Sequence, residues 1–337
     1  MKRYGDLFER IVSLENLVEA ARMALRGKKR INAARFYFHL ETELIRLEDE
    51  LQSGSYRPLP YRVFEIFEPK RRVISAADIR DRVVHHAICR ILEPIFERRA
   101  ISDSFACRRG KGSQAAAQRV QNLMRRDEWF LKCDISQYFA SIDHQRLQRL
   151  LRRIIRDRRL LALLDQIIEA PLPGLPPGRG LPIGNLTSQH FANLYLGELD
   201  HFIKERLRVR GYVRYMDDFI LFGATRDGLR EQHEQIRRFL EQHLGLALKD
   251  RATIIAPVRA GVPFLGLRIS RGRIGLQHRK WYRFRRRFLT TERQYLTRRI
   301  TEEEMVRSMM SMFGQIAHAD TIGARRQLIE QSPCLRY

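Results

Sequence analysis

The residues of this 337-residue sequence best placed to do chemistry are carboxylates set in apolar strands. Asp217 and Asp218 stand side by side in YVRYMDDFILF (212–222), which reads as two strands joined by a tight turn. Asp134 closes a third short apolar strand, WFLKCDI (129–135). Adjacent aspartates alone are ordinarily a solvated turn. Two carboxylates at a hairpin tip repel each other unless a cation sits between them, and a third at the end of a neighbouring strand completes a set of hard oxygen donors. Such a set suits two divalent ions roughly 4 Å apart, which bridge a triphosphate and activate a hydroxyl.

The elements around these residues form a coherent order. Residues 7–52 read as two helices separated by a basic turn at 27–30. Residues 61–67 and 73–75 read as a hairpin with a basic tip, and 78–97 as a helix. Helical spacing returns at 143–169, 187–208 and 226–243, with a Pro- and Gly-rich loop at 171–182. Extended segments are expected at 252–257 and as a strand pair over 262–276. The tail, 279–337, reads as helical and strongly basic at its start.

Composition agrees with a globular protein that handles polyanions. Sixty-three Lys and Arg against thirty-nine Asp and Glu give a net charge of +24, and nucleic acid is the expected partner of such a field. No run of about 18 apolar residues exists, so no membrane span is expected. The opening MKRYGDLFER lacks the apolar core of a signal peptide, and a cytoplasmic protein is expected. Cys89, Cys107, Cys133 and Cys334 are too scattered for a zinc site, and His85-His86 reads as helix packing.

Tyr215-Met216-Asp217-Asp218 matches the signature of reverse transcriptases, and the resemblance runs in family order over residues 60–270. EPKRRVISAADIRDRVVHHAI (68–88) resembles the fingers motif, and LKCDISQYFASID (131–143) the first palm motif. GLPIGNLTSQHFANLYL (180–196) resembles the second, and GLALKDRATIIAP (245–257) with VPFLGLRI (262–269) the last two. The resemblance implies an α/β (α+β) right-hand polymerase with an antiparallel palm sheet, fingers and a small helical thumb. Its expected divisions are residues 1–130 for N-terminal helices and fingers, 131–276 for the palm and 277–337 for the thumb.

Roles carried over by this resemblance are as follows. Asp134, Asp217 and Asp218, with the backbone carbonyl of Ile135, would bind two Mg²⁺ ions, with Mn²⁺ as an alternative. Lys70 and Arg72 would contact the incoming triphosphate, with Arg71 competing for the second place. Phe139 would be the steric gate against a ribose 2′-hydroxyl, beside Ile183 and Gly184 at the nucleotide, and Lys249 would lie near the leaving pyrophosphate. Tyr215 and Met216, and the turn Phe264-Leu265-Gly266, would meet primer and template. The aromatic-interleaved basic run from Arg271 to Phe288, including Arg283 and Arg286, would hold the RNA–cDNA duplex through phosphate contacts.

Ile183-Gly184-Asn185-Leu186-Thr187-Ser188-Gln189 resembles the second motif of reverse transcriptases from bacterial and phage diversity-generating retroelements. That implies error-prone copying of a template RNA at adenines, dNTP substrates and a small basic helical accessory protein. A bacterial defence-type or group II intron-like reverse transcriptase shares the same palm. An RNA-binding maturase-like protein is the non-enzymatic alternative, against which the carboxylate triad speaks. The chain length leaves no room for an RNase H or endonuclease domain, and neither is expected.

Overall fold

The computed structural model describes residues 3–27, 31–67 and 71–334. Its centre is a four-stranded antiparallel sheet made of β3 (Trp129–Asp134), β4 (Gly211–Tyr215), β5 (Asp218–Gly223) and β6 (Ile254–Pro257), in the order β4-β5-β3-β6. These strands are short apolar runs, because both faces are covered. On one face Leu131, Cys133, Phe219 and Leu221 enter the main core. On the other Phe130, Val213, Ile220 and Phe222 enter a second core.

The main core is closed by helices α5 (Ile79–Glu97), α10 (Leu186–His201) and α11 (Arg226–Phe239). Asp78 starts α5 by accepting a hydrogen bond from the Arg80 amide. The helix then buries Val83, Val84, Ala87, Ile88 and Leu92 completely. Removing one such side chain, as in Leu92→Ala, should cost about 2–5 kcal/mol. His85 is also buried there, and burial pushes its pKa down to about 3, so the ring packs as a neutral group. Helix α10 continues past His201 as a π-helical turn over Phe202–Arg206, and α11 does the same over Leu240–Leu244.

Two expected helices at 7–52 are four segments: α1 (Phe8–Val12), α2 (Leu14–Leu25), α3 (Ile31–Phe38) and α4 (Leu40–Ser53). Ser13 breaks the first pair, since its side chain caps α2 by accepting from the Asn16 amide. The expected helical stretch 143–169 is likewise divided into α8 (His144–Ile154) and α9 (Arg158–Glu169). Asp157 causes the division: it caps α9 at the Leu160 amide and also accepts from the amides of Leu7 and Phe8 at 2.9 and 2.8 Å. The start of the N-terminal helices is thereby fixed to the junction of α8 and α9.

A two-stranded hairpin, β1 (Arg62–Ile66) with β2 (Arg72–Ala76), precedes α5, and α6 (Ser113–Leu123) packs on the second core. The expected strand pair at 262–276 is a three-stranded meander, β7 (Val262–Phe264), β8 (Leu267–Ile269) and β9 (Ile274–Leu276). Three C-terminal helices follow: α12 (His278–Leu296), α13 (Glu302–Ile316) and α14 (Ile322–Glu330). They share a core of Phe284, Phe288, Met305, Met309, Met312, Ile316 and Leu328. The fold is therefore α+β with antiparallel sheets, as the sequence implied. Among the described residues no helix is long and apolar enough to cross a membrane.

Candidate active site

Register brings the carboxylates together. In the β3–β5 pairing Asp134 lies directly opposite Asp218, so the two side chains leave the sheet on the same face. Tyr215 pairs with Asp218 across the β4–β5 hairpin, leaving Met216 and Asp217 as a two-residue turn. Met216 has φ of +56°, a conformation uncommon for a side chain of its kind and one that needs support from its surroundings.

The electrostatics are those of crowded acids. Burial pushes the Asp218 carboxyl up to about 6, with Asp134 and Asp217 adding to the rise and Lys132 opposing it. Burial, then Asp134, also raises Asp217, while Arg72 and Lys132 pull it down. Lys132 Nζ lies 2.7 Å from Asp218 Oδ1. Sequence reading passed over Lys132, yet the signal was present: two residues before Asp134 on a strand, it must share that residue's face.

Among the described residues, no three His, Cys, Asp or Glu side chains are gathered as a ready metal cage. The donor set nevertheless suits a hard divalent cation. It consists of carboxylates, and their mutual repulsion and burial are costs that a cation relieves. In this arrangement the Lys132 ammonium supplies the nearest positive charge to Asp218.

Neighbouring elements are tied to the same place by backbone bonds. The Lys249 amide donates to the Asp134 carbonyl at 2.8 Å, and Ile135 pairs with Leu248 in an antiparallel bridge, while the Lys249 side chain is exposed. Phe139 lies on the short helix α7 (Tyr138–Ser141), half-buried, its ring 5.6 Å from that of Tyr138. Its carbonyl accepts from the Leu181 amide at 2.8 Å, which leads into the loop carrying Ile183 and Gly184. The Ile183 carbonyl accepts from Ser75 of β2 at 3.2 Å. Gly184 has φ of +116°, and a Cβ there would meet Ile74 Cγ2 at 3.1 Å. Helix α7, the 181–185 loop and the β1–β2 hairpin therefore form one connected wall.

On that hairpin Arg71 and Arg72 differ. Arg71 is held by Glu65 through two contacts of 2.6 and 3.0 Å. Arg72 is exposed and close enough for its charge to act on Asp217. Lys70 lies outside the described residues.

Other expected site residues lie on different elements. Phe264, Leu265 and Gly266 form the β7–β8 turn, with positive φ at Leu265 (+51°) and Gly266 (+77°), the requirement of a tight two-residue hairpin. Phe264 is fully buried in the second core, and the Gly266 carbonyl accepts from the Gln277 amide at the start of α12. Arg283 and Arg286 are exposed on α12, while Phe284 and Phe288 on its other side pack against Phe313. Phe284 and Phe288 are thus core, while Tyr282 and these arginines face outward. Two members of that basic run are engaged within the chain: Arg271 binds Glu128 at 2.9 Å and Arg273 binds Asp320 at 2.7 Å.

Comparison with known proteins identifies the family of the chain. Residues 68–269 match the family described as reverse transcriptase (RNA-dependent DNA polymerase). Protein YkfC of Escherichia coli K12 is 30% identical over 323 residues, covering 80% of this chain and 84% of that protein. The group II intron-encoded protein LtrA of Lactococcus lactis is 23% identical over 304 residues; the match covers 70% of this chain and about half, 51%, of LtrA. Among solved structures, apo telomerase from Candida tropicalis, truncated from its C-terminal domain, aligns at 13% identity with a TM-score of 0.49. That alignment covers 71% of this chain and 60% of the other. With the family match spanning more than half of the sequence, the chain belongs to the reverse transcriptase family of RNA-dependent DNA polymerases.

Proposed function

We propose that this enzyme copies an RNA template into cDNA at the site formed by Asp134, Asp217 and Asp218. The single observation that carries this reading is the β3–β5 register, which sets Asp134 across from Asp218 with Asp217 on the adjoining turn. These three side chains, with the carbonyl of Ile135, are the groups that would hold two Mg²⁺ ions, or Mn²⁺ in their place. Metal bound there neutralises triphosphate charge and favours ionisation of the primer 3′-hydroxyl. Arg72, and Lys70 two residues before it in sequence, take phosphate oxygens of the incoming dNTP, Arg72 through a guanidinium fork suited to them. Phe139, Ile183 and Gly184 border the sugar and base, and the Phe139 ring excludes a 2′-hydroxyl. Lys249 serves the departing pyrophosphate.

Tyr215, Met216 and the Phe264-Leu265-Gly266 turn approach primer and template, while Arg283 and Arg286 hold the RNA–cDNA duplex by its phosphates. Residues 1–130, 131–276 and 277–337 act as N-terminal helices with fingers, palm and thumb.

The finer assignment is to diversity-generating retroelements, supported by the Ile183–Gln189 motif. It brings a small basic helical accessory protein, errors at template adenines, and cytoplasmic action in a bacterial or phage system. A group II intron-like role is the second reading, supported by the likeness to LtrA. Primer extension on a defined RNA tests the core of the proposal. Wild-type enzyme should extend, and a folded Asp217→Asn enzyme should not; robust extension by that variant would sink the assignment. Sequencing the cDNA separates the two readings, since accurate copying at adenines in the presence of the accessory protein and template RNA counts against the first.

A further inference from the structure

Two residues before Met216 the chain buries an arginine. Arg214 is 1% exposed, as is its partner Asp200 on α10. All five of its side-chain N–H groups have acceptors within reach. Nε and Nη2 grip the two Asp200 oxygens at 2.7 and 2.6 Å. Nη1 donates to Asn193 Oδ1 at 3.1 Å and to the Met216 carbonyl at 3.0 Å, and Nη2 also reaches the Asn193 carbonyl at 3.5 Å. Tyr212 completes the Asp200 carboxylate by donating to it at 2.8 Å. The backbone of Arg214 is fixed as well: its amide donates to Asp103 O and its carbonyl accepts from Phe105, each at 2.9 Å.

We propose that Arg214 is a positioning residue that sets the direction of Asp217 by clamping the Met216 carbonyl to helix α10. The peptide group is planar, so fixing the Met216 oxygen fixes the amide of Asp217 as well. Met216 carries a positive φ, the place in the hairpin where the backbone most needs an external hold. A purely structural role fits less well. The Arg214–Asp200 ion pair by itself adds little to stability, because desolvating two charges offsets most of their attraction. An apolar pair cannot donate to the Met216 carbonyl. Lysine keeps the charge but lacks the planar fork that binds Asp200 with two nitrogens while a third group reaches Asn193 and Met216.

This inference rests on Asp217 being a metal-holding carboxylate. The test uses the full chain with two variants, Arg214→Lys and the double replacement Arg214→Met with Asp200→Leu. The double variant should fold with a melting temperature below that of wild type, because the Met216 carbonyl, Asn193 and the Tyr212 hydroxyl lose their partners. Its primer-extension kcat should fall by about 10- to 100-fold, the order expected when a reacting group is displaced by a fraction of an ångström to an ångström, with KM for dNTP nearly unchanged. Arg214→Lys should fold and lose less, roughly tenfold in kcat. Affinity for Mn²⁺ alone, read from water-proton relaxation without substrate, should weaken in both. Wild-type kcat and Mn²⁺ affinity in a folded double variant would overturn the proposal. So would failure of both variants to fold, which would show the cluster to be structural. Asp217→Asn, run alongside, separates the two levels: if it still polymerises, the carboxylate reading fails; if it is inactive while the Arg214 variants are normal, only this inference fails.

Discussion

Replacing Asp218 by Asn should make the metal-free protein more stable while abolishing its activity. Burial holds the Asp218 carboxyl at about 6 against an ordinary value of 3.8. The folded state therefore keeps a proton that the unfolded chain has already released. Between those two values the native state binds more protons, so stability falls as pH rises through the window, and above about pH 7 the full cost is present. A difference of about 2 pH units corresponds to roughly 3 kcal/mol. With the side chain 18% exposed, little of this is lost to solvent screening. The attraction of Lys132 is already contained in that value. Asparagine has the shape of the protonated acid and does not titrate, so Asp218→Asn should recover about 2–3 kcal/mol at pH 8. At about 2 °C per kcal/mol for a chain of this size, the melting temperature should rise by about 5 °C. The assay is thermal unfolding of both proteins in EDTA from pH 4 to pH 8. Acids remote from the site titrate equally in the two, so the difference curve reports Asp218 together with Asp134 and Asp217, whose charges act on it. It should be near zero at pH 4 and grow through pH 6. Added Mg²⁺ should stabilise the wild type more than the variant, because ligand binding favours the state that holds it. A variant no more stable than wild type at pH 8 in EDTA refutes the reasoning.

Phe139→Ala should admit ribonucleotides, since it empties volume beside the Leu181–Gly184 loop; unchanged deoxy-to-ribo discrimination in steady-state incorporation would return Phe139 to packing alone. Neutralising Arg283 and Arg286, which are exposed and free of the ion pairs that engage Arg271 and Arg273, should weaken duplex binding and flatten its salt dependence by about one unit of slope per lost phosphate contact. Filter binding across a salt series reads both, and an unchanged slope would show that these arginines are only solvated. Ile183→Gln should raise fidelity at template adenines by up to about tenfold if a side-chain amide there contributes about 1.4 kcal/mol of discrimination. Equal cDNA error rates from two active enzymes would place the determinant elsewhere.

Short-range pattern made much of the palm sheet legible. Apolar runs bounded by turn residues located β3, β4 and β5, and a two-residue gap between β4 and β5 forced Asp217 onto a turn. Lys132 was legible by the same alternation but was passed over. Long-range partners were not. Asp200 is fourteen residues from Arg214 and on a helix, and no local rule couples a strand arginine to it. Asp157 likewise splits one expected helix into α8 and α9 because it also serves the start of α1, about 150 residues away. In the basic run at 271–288 composition could not tell which arginines are engaged. That depends on Glu128 and Asp320, which the fold brings alongside Arg271 and Arg273. The lack of a Pro or Gly break between 7 and 26 hid the division at Ser13, which a side-chain cap supplies.

The pairing of Asp134 with Asp218 has a consequence for how this chain tolerates length changes. Side chains on a strand alternate with period two, so a shift of one residue between β3 and β5 would send one carboxylate to the opposite face, into the apolar contacts of the main core around Leu131, Cys133, Phe219 and Leu221. A shift of two would keep both on the same face and move them apart along the strand. Insertions and deletions in β3 or β5 are therefore unequal by parity. Odd changes exchange a core residue for a charge, and even changes preserve the faces while breaking the alignment with the Met216-Asp217 turn.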